Sequence, residues 1–258
     1  MNKRTPRTGG TVFQLDGWEV TLHQAAENGS VDWARDLARR LIEPHEPENI
    51  LKYDHRSQVE LMSVDGTPYI VKKFTLQRTW FWFQLTSTAF PTLGEVACLN
   101  AIELAKVGLP TPSPSLLMQR IEQGMVVESW LVYRYLEGIS ASPEDSVQIV
   151  DYVRKMHAKG WIHRDPHPAN FLITDQGVAT IDPIRARKTK SRYLQAYDLL
   201  LMSHDLPDAV ELYGRDKLGI WLNLAALGHS MVRTYRNIKR GLRRIVGLKG
   251  NAGNLRKP

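Results

Sequence analysis

One cysteine, Cys98, stands in the whole chain, so no disulfide can form within it and a reducing compartment suits it. Its ordinary role is that of a small buried hydrophobe. No apolar run is long enough for a membrane helix. The longest uncharged stretch, Thr79 to Gly94, holds "WFWFQLTSTAFPTLG" and is too short and too rich in hydroxyls to span a bilayer. The basic start, "MNKRTPRTGG", leads into no apolar segment, which argues against a secretory signal. Repeats at a fixed period and low-complexity tracts are missing too. What remains is the expectation of a soluble globular protein. Its 258 residues, 43% hydrophobic, suffice for a core in one large domain or two lobes.

Acid is scarce at one end. Residues 1–184 carry 18 Lys/Arg against 22 Asp/Glu, whereas residues 185–258 carry 16 against 5. An anionic partner would therefore meet the last third.

Segment 11–29 reads as short strands turning at Asp16-Gly17, and Ser30 caps a helix running to Leu41. "NILKY", "QVELMSV" and "TPYIVKKF" follow as strands, the last two joined by the hairpin pair Asp65-Gly66. "GEVACLNAIELAKVG" has helical spacing and stops at Gly108, and "SLLMQR" and "MVVESWLVYRYLEG" are further strands. From Ser142-Pro143 the chain turns helical to about Lys159, with Val147, Val150 and Val153 marking its apolar face. The layout is α+β. A basic tail (1–12) precedes a β-rich lobe (13–137) and a reduced helical lobe (138–258).

The densest chemistry lies in "WIHRDPHPANFL", residues 161–172. His163 and His167 are four apart, but Pro166 and Pro168 forbid the helix that would aim both at one zinc ion. Asp165 and Asn170 instead fit H-R-D-x-x-x-x-N, the pattern of a phosphoryl-transfer loop. There the Asp takes the proton of the acceptor hydroxyl and the Asn binds Mg²⁺. "FLI", "TDQG" and "VATI" then form a hairpin ending at Asp182. A turn centred near Gln176 sets residue 170 opposite residue 182, two oxygen donors for one hard cation. A solvated polar hairpin is the plainer alternative.

Such a site also needs a cation for the α- and β-phosphates, steadied by a helix glutamate. Lys72 or Lys73 supplies it. Strand alternation does not choose between them, and the match to V-A-I-K favours Lys72, with Lys73 a solvated strand residue. Glu95 is the glutamate, with Glu103 as the fallback.

These stretches, with "GLPTPSP" after the helix and "DPIRARKT" after the hairpin, resemble the lipopolysaccharide core heptose(II) kinase family of the protein-kinase-like superfamily. The resemblance runs from about residue 13 to about residue 245. It implies a bilobal kinase fold, ATP with Mg²⁺, and phosphorylation of a sugar hydroxyl of the lipopolysaccharide inner core at the cytoplasmic face of the inner membrane. Carried over, Asp165 is the base, Asn170 and Asp182 hold metal, and Lys72 holds phosphate. The backbone of Arg134, Tyr135 and Leu136 meets the adenine edge. Asp198 resembles the aspartate that braces the catalytic loop, beside His163. Two features depart from the wider kinase pattern. "KYDHRSQ" replaces the glycine-rich loop, so Lys52, His55 or Arg56 would cover the nucleotide, and "DPI" replaces D-F-G. No A-P-E follows, which favours a small acceptor over a peptide.

Arg185, Arg187 and Lys188 are candidates for an acceptor phosphate. Met231, Tyr235, Ile238, Leu242 and Ile245 trace an apolar stripe with arginines and lysines on the other faces. That pattern suits either a packed terminal helix or an anionic surface. Nucleic acid is disfavoured because no binding module accompanies the charge. "WFWF" (80–83) is expected to pack between a strand and the next helix. Two rivals are another small-molecule kinase, of aminoglycoside or choline type, and a catalytically dead kinase-like module.

Overall fold

The computed structural model describes residues 8–23, 30–43, 49–75 and 81–231. Trp80 and the stripe beyond Met231 lie outside them.

Seven antiparallel strands form the first lobe: β1 (Thr11–Leu15), β2 (Trp18–Leu22), β3 (Asn49–Tyr53), β4 (Gln58–Val64), β5 (Thr67–Lys73), β6 (Pro114–Glu122) and β7 (Met125–Arg134). Their order is β1-β2-β6-β7-β5-β4-β3. Asp16-Gly17, Asp65-Gly66 and Gln123-Gly124 turn three of the hairpins. All six residues have φ between 48° and 82°, the left-handed geometry that a two-residue turn between twisted strands requires.

Two helices sandwich the sheet. Helix α1 (Val31–Ile42), capped by the Ser30 hydroxyl, buries Ala34, Leu37, Ala38 and Leu41 against Val20, Val71, Met118 and Val132. A six-residue helix, α2 (Phe81–Thr86), buries nothing. Phe81 and Trp82 are exposed, contrary to the packing expected of the aromatic run. Helix α3 (Leu93–Lys106) sets Ala97 and Cys98 on the other face, against Phe74, Leu117 and Leu131.

This two-faced packing separates the adjacent lysines. Lys72 pairs in register with Leu131 and stands on the α3 face, while Lys73 pairs with Trp130 on the α1 face. Lys73 is no solvated lysine. Its ammonium lies 2.7 Å from the buried Glu60 carboxylate and 4.6 Å from the centre of the Trp130 ring.

After β7 the chain crosses into a helical core. Ser142 caps a 3-10 turn (Pro143–Asp145) that opens α4 (Ser146–Ala158). Its buried stripe is Ile149, Val150, Tyr152, Val153 and Met156. Val147, expected on that face, is exposed because it sits half a turn away from the stripe's centre. Helices α5 (Arg192–Met202), α6 (Ala209–Tyr213) and α7 (Arg215–Leu218) close the core, and a last helix runs from 220 to 231. Strand β10 (Phe171–Thr174) pairs with β11 (Gly177–Thr180) and β8 (Ile139–Ser140), while β9 (Trp161–Ile162) pairs with β12 (Arg187–Lys188).

Candidate active site

A cavity of about 430 Å³ opens beneath the large sheet, with Val59, Ile70, Lys72 and Tyr133 on one wall and Asn170, Leu172, Ile181 and Asp182 on the other. Lys72 crosses between them. Its ammonium lies 2.8 Å from Oδ1 of Asp182. Lys72 is therefore the lysine aimed into the cleft.

The hairpin that delivers Asp182 turns on Asp175-Gln176, with Thr174 opposite Gly177. Phe171 pairs with Thr180, and the Ile181 N–H donates to the Asn170 carbonyl, so Asn170 faces Ile181 rather than residue 182. The expected register is off by one residue, because the turn contains two residues instead of being centred on one. Asp182 follows directly, and both side chains still line the same cavity.

The donor set suits a hard cation. The Asn170 amide nitrogen donates to the Asp165 carbonyl at 2.8 Å, which leaves Oδ1 of Asn170 as the donor toward metal. Oδ1 of Asp182 is sealed from solvent and accepts no aligned hydrogen bond, since the Lys72 contact is an ion pair without that geometry. One carboxylate and one amide oxygen form the sparse shell that Mg²⁺ completes with water and phosphate oxygens. No cluster of three or more His, Cys, Asp or Glu side chains able to hold a metal occurs among the described residues.

Asp198 fixes the loop that carries Asp165. Its buried carboxylate accepts from the His163 N–H at 2.7 Å and the Arg164 N–H at 2.6 Å, and pairs with Nε2 of His157 at 3.1 Å. Arg164 has φ 65°, a strained value for a residue with a Cβ, and the charge-assisted bond beside it offsets that strain. Nε2 of His163 meets the Thr180 hydroxyl at 2.8 Å, which ties the loop to β11. Burial pulls the His163 imidazole below its ordinary pKa, against the opposing charges of Asp198, Asp182 and Asp165. The ring is thus neutral. His167 accepts from the Ala169 N–H and caps the 3-10 turn (Pro168–Asn170) that presents Asn170.

Asp165 is half-exposed and does not itself line the cavity, although its carbonyl is held by Asn170, which does; a guanidinium nitrogen of Arg185 lies 3.9 Å from its carboxylate. Arg187 and Lys188 form β12 against β9, and neither they nor Arg185 line the cavity. Of the three candidates for acceptor phosphate, Arg185 is the one with an ion pair to Asp165.

Tyr135 and Leu136 line the cavity, whereas Arg134 pairs with Tyr69 in the sheet and does not. The Tyr135 N–H donates to the Pro68 carbonyl at 3.0 Å, so Leu136 supplies the peptide best suited to a base edge. Lys52 lines the cavity, although its ammonium pairs with Asp54 at 3.3 Å; His55 and Arg56 do not line it. The Asp54 carboxylate closes that turn by accepting from the N–H groups of Arg56 and Ser57. Burial is the largest single effect and pushes the Asp54 carboxyl up, but those donors and Lys52 together hold it below its ordinary pKa.

Glu95 stands at the start of its helix. Its carboxylate accepts from the Thr92 N–H at 2.7 Å and closes a capping box at the start of α3. The ion pair of Lys72 is with Asp182, and Glu103 is exposed and paired with Lys106. The helix reaches the segment that follows Asp182 through Asn100. Its amide donates to the carbonyls of Pro183 at 2.8 Å and Ala186 at 2.9 Å. Asn100 belongs to no motif, and only its place two turns from the helix start could have suggested it.

A two-faced antiparallel sheet over a helical core, with this cleft between them, is a protein-kinase-like fold. A solved structure described as WaaP in complex with acyl carrier protein shares it at a TM-score of 0.51 and 17% identity, over 84% of this chain and 98% of that one. No family model matches the sequence, and no curated protein does.

Proposed function

We propose that the chain is an ATP-dependent kinase that phosphorylates a heptose hydroxyl of the lipopolysaccharide inner core, at the cytoplasmic face of the inner membrane. The observation that carries this reading is the convergence of Lys72, Asn170 and Asp182 on one cleft, beside a loop braced by Asp198. The heptose(II) kinase resemblance of the sequence and the kinase-like fold shared with WaaP support this reading.

In this reading Lys72 leaves Asp182 to hold the α- and β-phosphates, and the Leu136 peptide takes the adenine edge. Asn170 and Asp182 would hold Mg²⁺, which supplies charge neutralisation for the phosphate oxygens when bound. The Asp165 carboxylate accepts the proton of the sugar hydroxyl as its oxygen attacks the γ-phosphorus and the bond to the β-bridging oxygen breaks. Arg185, 3.9 Å from the Asp165 carboxylate, would hold an anionic group of the acceptor close to that hydroxyl.

The same arginine disfavours the aminoglycoside or choline alternative, because a cationic acceptor would meet a guanidinium at the base. The reading is tested by ATP turnover of the purified protein with and without isolated core oligosaccharide. Stimulation by the sugar, with phosphate appearing on heptose by mass spectrometry, is expected. Binding of Mg·ATP without transfer to the sugar would instead favour the kinase-like module.

A further inference from the structure

The last described helix, 220–231, is packed by one face only. Ala225 is fully buried, Leu222 packs on the helical core, and His229 lies against Tyr197. Gly228 permits the closest approach, since a Cβ there would stand 2.5 Å from the Tyr193 hydroxyl. The opposite face carries Ile220, Leu224, Leu227 and Met231, at steps of four, three and four, and each is 40–66% exposed. These four lie within about 60° of one another around the helix, with no charged residue anywhere in the segment 220–231. A surface helix normally turns its polar face to water; this one turns an apolar stripe.

The sequence beyond it indicates the occupant. Residues 232–258 hold nine Lys/Arg and no Asp or Glu. A second copy of the chain would bring a second such segment beside the first, and like charge opposes that pairing. An anionic bilayer offers both terms at once: an interface for the apolar stripe, and lipid headgroups for the cations, each worth about 1 kcal/mol near such a surface.

We infer that the 220–231 helix is a membrane-docking element whose stripe of Ile220, Leu224, Leu227 and Met231 enters the headgroup layer of an anionic bilayer. The basic segment after it strengthens the attachment. This inference stands on the surface alone and holds whether or not the cleft transfers phosphate.

The test uses the full-length protein and flotation with vesicles of phosphatidylglycerol mixed into phosphatidylcholine, or of phosphatidylcholine alone. Wild type is expected to float with the anionic vesicles only, and less so at high salt. Leu224→Glu with Leu227→Glu, both exposed and remote from the cleft, should lower vesicle affinity on the order of 10²-fold, with an unchanged melting temperature. Unaltered flotation of the double variant would overturn the proposal, as would failure of the wild type to float. So would a wild-type dimer, measured by light scattering, that the double variant converts to monomer, because a second copy would then cover the stripe.

Discussion

The ammonium of Lys72 lies 2.8 Å from Oδ1 of Asp182, so the group proposed to hold phosphate rests on the group proposed to hold metal. Its neighbour Lys73 points through the sheet to Glu60 and Trp130. Adjacent lysines therefore serve different ends, and substitution should separate them. Lys72→Ala is expected to lower kcat/KM by ~10²-fold or more while leaving the melting temperature nearly unchanged. Lys73→Ala should destabilise by about 2 kcal/mol, because it removes the cation paired with the buried Glu60 carboxylate, with turnover per folded molecule largely kept. Thermal melts and steady-state kinetics on both variants check the pair.

Asn100→Ala removes the amide that holds the carbonyls of Pro183 and Ala186, and so loosens the segment beginning at Asp182. The expected outcome is a ~10–10²-fold lower kcat and a raised Mg²⁺ requirement, with the sugar KM little changed. A magnesium titration of activity reads it. An unaltered requirement would separate Asn100 from the site.

Asp198→Asn keeps the shape of the side chain but removes the charge that holds the His163 and Arg164 N–H groups. Stability is expected to fall by about 2–4 kcal/mol, since the buried donors lose their charged acceptor. The remaining folded protein should show reduced kcat with nearly normal ATP binding. Chemical denaturation together with nucleotide titration measures the two effects.

The pH dependence has a definite sign. Burial lowers the His23 imidazole from its ordinary 6.5 to about 4, and His163 moves in the same direction. A group with a depressed folded pKa takes up protons more readily when unfolded. Stability is therefore level above 6.5 and falls as pH drops toward 4, by on the order of 3 kcal/mol for His23 alone. Urea midpoints measured across that window should decline steadily. His23→Asn should show a shallower decline.

The site was legible where residue type and spacing carry the chemistry. The loop 161–172 and the hairpin after it could be read from the sequence, Lys72 does line the cavity, and Asp198 does brace the loop. The turns were legible because Asp-Gly pairs tolerate positive φ. Side-chain alternation could not separate Lys72 from Lys73, since both faces of β5 are covered, one by α1 and one by α3. The capping-box contact of Glu95 was legible as well, since a glutamate three residues after Thr92 is a capping-box acceptor. The hairpin register slipped by one because turn length is not encoded by the spacing of Asn170 and Asp182 alone. Asn100 acts through a contact across 83 residues of sequence, which periodicity cannot reveal.

The central claim is that Asp165 accepts the acceptor's proton, and the Asp165→Asn variant tests it most directly. Single-turnover transfer of phosphate to isolated core oligosaccharide should be slower by ~10²–10⁴-fold, with Mg·ATP affinity nearly that of the wild type. Transfer at the wild-type rate in that variant would contradict the account.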